Sequence, residues 1–162
     1  MSQTLDTNLL LYASNVDAPE QPRASALLQH LAAGPDLVVL LWPVIMAYLR
    51  IATHPSIFSR PLAHADAVTN VEALVARPHV RVVGESERFW RAYRTVSSEV
   101  PARGNGVPDG HLVALMVDHG ISSIWSRDRD FRKYRGIAVR DPFDDRYRDG
   151  FAAAPAPRKK RP

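Results

Sequence analysis

The chain contains no cysteine. That one absence removes disulfide scaffolds, zinc–thiolate sites and thiol nucleophiles together, and it is compatible with a reducing compartment. Long apolar runs are missing too: no stretch approaches the ~20 apolar residues needed to cross a bilayer. The opening Met1-Ser2-Gln3-Thr4 lacks a basic region followed by an apolar one, so nothing there reads as a secretory signal. Lysine is scarce, with none before Lys133, and no Asp or Glu lies between Leu37 and Ala65. Gly104-Asn105-Gly106 lacks the third glycine of a dinucleotide loop, and no Walker A pattern occurs. The six histidines never adopt the His-Glu-x-x-His spacing of a zinc hydrolase. A soluble protein acting in the cytoplasm, away from any membrane, is the expectation these absences leave.

What is present suits one globular domain: 162 residues, of which 46% are apolar. The net charge of +4 is concentrated, because Arg158, Lys159, Lys160 and Arg161 lie in an acid-free end and account for the whole excess. The body is neutral in sum, with a local basic patch at Arg127, Arg129, Arg132, Lys133 and Arg135. The end carries Ala152-Ala153-Ala154-Pro155-Ala156-Pro157 before its basic run and offers little to bury, so residues 146–162 are expected to form a flexible basic tail. Such a tail is either a solvated end or an arm that touches nucleic acid.

Periodicity alternates between strand and helix. A very short first strand, polar at Ser2-Gln3-Thr4, leads into a helix beginning at Asp6. Residues 20–33 read as a helix with Pro22 in its first turn and Gly34-Pro35 as its stop. Residues 37–41 form an apolar strand, 44–53 a helix closed by His54-Pro55, and 62–76 a further helix ending before Pro78. Residues 80–83 alternate as a half-exposed strand. Residues 86–100 are a helix with Ser86 as cap, presenting Phe89, Trp90 and Tyr93 to a neighbour, and 108–119 is another, closed by Gly120. Strands at 121–125 and 137–139 complete an α/β domain: a central, mostly parallel sheet of four to five strands with helices on both faces, a three-layer sandwich.

Three stretches far apart each end an apolar run with a carboxylate: Leu5-Asp6-Thr7-Asn8, Val107-Pro108-Asp109-Gly110-His111, and Ser126-Arg127-Asp128-Arg129-Asp130-Phe131. In an open α/β sheet the loops at the carboxyl ends of the strands converge on one crevice, so these acids can meet in space. Carboxylates brought together repel, and such a site serves to hold a hard cation, Mg²⁺ or Mn²⁺. Each acid also has a plainer role available. Asp6 is a good helix start, Asp109 suits the dipole of a first helical turn, and one of Asp128 and Asp130 can bridge to a backbone N–H while the other binds metal. Asn8 is placed to orient Asp6.

These residues carry a resemblance. Leu5-Asp6-Thr7-Asn8-Leu9-Leu10-Leu11-Tyr12-Ala13, Arg50-Ile51-Ala52-Thr53-His54-Pro55, Val107-Pro108-Asp109-Gly110-His111-Leu112 and Ser126-Arg127-Asp128-Arg129-Asp130-Phe131 are similar, in that order, to motifs of PIN domains, and within them of the VapC-type ribonuclease toxins of toxin–antitoxin modules. The likeness spans roughly residues 5 to 143, so residues 1–145 are read as a PIN domain. It implies metal-dependent hydrolysis of phosphodiester bonds in structured RNA, transfer or ribosomal. It implies metal binding and catalysis by Asp6, Asp109 and Asp128, with Asp130 as a further metal ligand. Thr7, Asn8 and Ser126 would orient ligands or phosphate, and Arg127 and Arg129 would contact RNA. It also implies silencing by a VapB-type antitoxin and a homodimer, with Trp42, Tyr48, Ile57 and Phe58 as candidates for the docking surface or for the core. One departure stands out: Ala47 occupies the place where many members carry Glu. That departure leaves a second reading open, an RNA- or protein-binding module that does not cleave.

Overall fold

The computed structural model describes residues 2–151. Within them lie strands β1 (Gln3–Leu5), β2 (Val38–Leu41), β3 (Val80–Val83), β4 (Ser123–Trp125) and β5 (Ala138–Arg140), and helices α1 (Thr7–Ser14), α2 (Gln21–Ala33), α3 (Trp42–Ala52), α4 (His64–Val75), α5 (Phe89–Glu99) and α6 (Gly106–Asp118). The strands form one five-stranded sheet in the order β3-β2-β1-β4-β5, and every pairing is parallel. The expected sandwich is therefore realised with its sheet wholly parallel.

Chain direction along the sheet explains where the helices go. The chain runs outward from β1 through β2 to β3, then returns to the other side of β1 for β4 and β5. Right-handed crossovers send the first set of connections over one face and the second set over the other. Accordingly α1 packs on α2 and α3, and α3 on α4, while α5 and α6 pack on each other. The core between these layers is dominated by Leu, Val and Ile from β2, α1 and α6, with Tyr48, Trp125 and Phe131 as its largest fully buried side chains.

β1 is buried throughout despite its polar sequence. Its Gln3 side chain finds partners inside the fold: Trp125 Nε1 donates to Gln3 Oε1 at 2.9 Å, and Arg140 Nη1 donates to the same oxygen at 3.3 Å. Three strands are thereby tied by one amide, which removes the cost of burying it.

Several boundaries shift from the sequence expectation. The helix expected from Ser86 starts at Phe89, because the Ser86 hydroxyl turns to Asp118 Oδ1 at 2.8 Å while also accepting from the Arg88 amide. Residues 129–133, within the basic patch, wind into a 3₁₀ turn (Arg129–Lys133). Residues 146–151, expected to belong to the tail, are instead part of the body: Tyr147 and Phe151 are buried against Trp125, with ring centroids 5.0 and 5.7 Å away. Arg23 fastens this segment, donating to the Tyr147 carbonyl and placing its guanidinium 4.3 Å from the centre of the Phe151 ring. The remainder of the expected tail, residues 152–162, lies outside the described residues. Tyr48 and Phe58 are core residues, whereas Trp42 and Ile57 are exposed.

Candidate metal centre

The order reverses between β1 and β4, and in open parallel sheets the crevice beyond the carboxyl ends of the strands at that reversal is where ligands bind. Register fixes who stands there. Leu5 pairs with Trp125, and the Asp6 amide donates to the Trp125 carbonyl at 2.9 Å, so Asp6 and Ser126 leave the sheet side by side. Asp6 sits at the N-cap of α1, yet its carboxylate is committed across the sheet: Ser126 Oγ donates to Asp6 Oδ2 at 3.1 Å and Asn8 Nδ2 donates to it at 3.2 Å.

Ser126 relays this to the next acid. Its Oγ accepts the Asp128 amide at 2.9 Å, and Asp128 Oδ1 in turn accepts the Asp130 amide at 2.8 Å, capping the 3₁₀ turn. Phe131 and Tyr134, both buried, pin the turn to the body. Asp109 comes from the other direction, in the first turn of α6, whose dipole favours its charged form. The outcome is a trio: Asp109, Asp128 and Asp130 each offer a carboxylate oxygen, and the three atoms lie within 4.8 Å of one another. Asp6 borders the trio, joined to Asp128 through the Ser126 hydroxyl and close enough for its charge to act on Asp109.

Electrostatics bear the mark of crowding. The Asp109 carboxyl is raised above the ordinary range, first by burial and then by the Asp128 charge, with Lys133 pulling the other way. Asp6 is raised too, chiefly by burial; the Ser126 hydroxyl and the Thr7 and Asn8 amides oppose this, and the Asp128 charge adds to it. Tyr134 lies close by with its hydroxyl buried and without a hydrogen-bond partner among the described residues. Burial and the Asp109 charge push that phenol up. Nothing in the sequence singles out Tyr134 beyond its being an aromatic after the last acidic motif.

A hard divalent cation fits this set. Three carboxylate oxygens within 4.8 Å of one another match what Mg²⁺ or Mn²⁺ accepts, and Mg²⁺ needs only one or two carboxylates with water completing its shell. Ala47, on α3, supplies no donor.

The remaining candidates are placed less uniformly. Thr7 is buried and its hydroxyl is 3.5 Å from the Val44 carbonyl, so it ties α1 to α3 and is turned from the trio. Arg127 pairs with Glu20 at 2.6 Å and lies 5.1 Å from the centre of the Phe143 ring while remaining exposed. Arg129 is exposed at the head of the 3₁₀ turn.

Comparison with known proteins identifies the family and the fold. The family model described as PIN domain matches residues 4–137. Ribonuclease VapC48 of Mycobacterium tuberculosis is 53% identical over 143 residues, covering 88% of this chain and 99% of the relative. Among solved structures, VapC20 of Mycobacterium tuberculosis, a Sarcin-Ricin loop cleaving toxin, superposes with a TM-score of 0.62 at 18% identity, covering 86% of this chain and 99% of its own. A toxin–antitoxin complex from Klebsiella pneumoniae superposes with a TM-score of 0.56 at 17% identity, covering 88% and 98%.

Proposed function

This chain belongs to the PIN-domain family as a VapC-type member, and from that premise we propose that it is a Mg²⁺- or Mn²⁺-dependent endoribonuclease toxin that cuts structured RNA and is silenced by a cognate antitoxin. The observation that carries the reading is the convergence of Asp109, Asp128 and Asp130 at the reversal of the sheet. The names of the relatives support the substrate and the partner: a ribonuclease with half of its residues in common, and a toxin–antitoxin complex with the same fold.

Asp109, Asp128 and Asp130 would hold the ion. When bound, it acidifies a water and offsets charge on the phosphate oxygens. The chain's own residues do the rest. In hydrolysis the water oxygen bonds to phosphorus, one P–O ester bond breaks, and the departing oxygen gains a proton. Ser126 fixes the Asp128 backbone, and Asn8 and Ser126 hold Asp6 in one orientation. Asp6, raised by burial, is suited to take the proton released by the attacking water, a role typically contributing about 10²–10⁴-fold in rate. Arg129 is free to meet an RNA phosphate from the exposed turn. A homodimer belongs to the same reading, with exposed Trp42 and Ile57 available to it.

The test is incubation of the purified chain with total cellular RNA, with Mg²⁺ or Mn²⁺ and with EDTA, mapping new 5′ ends. Discrete cuts that vanish in EDTA and in Asp109→Asn and Asp128→Asn are expected. RNA binding without cuts by the folded chain would favour the second reading, a module in which Ala47 marks lost catalysis.

A further inference from the structure

Helix α5 carries a feature the metal centre does not use. Trp90 is 65% exposed, the second most exposed large apolar side chain among the described residues. Its ring is nonetheless fixed: it stacks on Tyr93, one helical turn on, with centroids 5.5 Å apart and planes 16° from parallel. Tyr93 is half-buried, so only one face of the indole is covered. An open cleft of about 370 Å³ runs beside it, lined by Trp90, Arg91, Arg94, Thr95 and Ser98.

Charge on this face is unpaired. Neither Arg91 nor Arg94 makes an ion pair among the described residues, and Arg88, at the head of the helix, reaches Asp118 only at 4.0 Å. Nearby acids are few: Glu85 is taken by His111 at 2.6 Å, and Glu87 and Glu99 flank the helix ends. The Thr95 and Ser98 hydroxyls donate to carbonyls of their own helix. Tyr93 in turn packs on α6, 3.9 Å from where a Cβ on Gly110 would stand, one residue after Asp109.

A rigid aromatic plane with one open face, flanked by unpaired guanidinium groups, is the chemistry that holds an unstacked base between phosphates. Paired bases in an RNA helix cannot offer a face, whereas loops can. We propose that the α5 face binds an unpaired loop of the RNA substrate, one base stacking on Trp90 and its flanking phosphates meeting Arg91 and Arg94. This deepens the ribonuclease reading and rests on it for the class of ligand.

The test is a titration of the full chain in EDTA, where cleavage is blocked, with an RNA hairpin carrying an unpaired loop and with a blunt, fully paired RNA of the same length. The wild type is expected to prefer the hairpin about 10-fold, the size of one base on an aromatic ring, and Trp90→Ala to abolish the preference while Trp90→Phe keeps most of it. Arg91→Ala with Arg94→Ala should weaken both RNAs and flatten the salt dependence by roughly 0.7–0.9 per lost contact. A preference that survives Trp90→Ala, or one lost equally in Trp90→Phe, overturns the proposal. So does a Trp90→Ala variant that binds RNA normally but loses self-association in light scattering, which would make the face a protein contact. Cleavage of the same hairpin on adding Mn²⁺ separates the two claims: Trp90-dependent binding without cleavage sinks the nuclease alone, and cleavage with Trp90-independent binding sinks the platform alone.

Discussion

Asp109 and Asp6 share a condition that a titration can read. Both carboxyl groups are raised above 3.8, with burial the largest cause. An acid whose folded pKa exceeds its unfolded one favours folding while protonated, so that contribution is complete below about pH 4 and is lost as the pH rises through the folded value. At neutral pH without metal, each is a burden. Asp109→Asn is therefore expected to raise the denaturation midpoint in EDTA at pH 7, with the gain fading towards pH 4. Adding Mg²⁺ or Mn²⁺ should stabilise the parent and leave the variant unmoved, by linkage to binding. A midpoint difference constant across that range would refute this account. Asp144 shows the opposite sign: Arg146 holds its carboxyl at about 2, so its contribution is present above pH 4 and is lost as the pH falls through 2.

At the scale of the element, the end of α6 shows how local chemistry sets a boundary. Gly120 has φ of 64°, its amide donates to the Val117 carbonyl at 3.3 Å, and the Ile121 amide donates to the Met116 carbonyl at 2.8 Å, which together close the helix in a Schellman motif. Gly120→Ala is expected to cost about 1 kcal/mol, read from chemical denaturation, because a Cβ strains that backbone although the space around it is empty. Gly120 was legible as a stop, and so were β2, β3 and the cores of α2, α3 and α4, because apolar spacing and helix-breaking residues act over a few positions. β1 was nearly invisible: Gln3 looks wrong for a buried strand until Trp125 and Arg140 arrive from more than a hundred residues away. The three acidic stretches were legible from their shared address at strand ends and helix starts. Their inner geometry was not. The trio of Asp109, Asp128 and Asp130 beside Asp6, the Glu20–Arg127 pair and the Tyr134 hydroxyl, unpartnered among the described residues, all depend on how distant segments meet.

For the whole molecule, the segment after β5 belongs to the body. Phe151 lies among Trp125, Tyr147 and His30 beneath the Arg23 guanidinium, so Phe151→Ala is expected to cost about 3 kcal/mol, seen as a lower melting temperature. An unchanged melt would mean the segment is not docked. The pairing of β1 with β4 has a consequence in time. It joins residues 3–5 to residues 123–125, so β1 waits for β4 before it gains its second neighbour. A chain emerging at about 5–20 residues per second carries Asp6 well before the other acids, and Asp109, Asp128 and Asp130 can converge only after residue 130 has been made. The acidic site is thus assembled by docking of β4 onto β1, and no single stretch of the chain can form it alone.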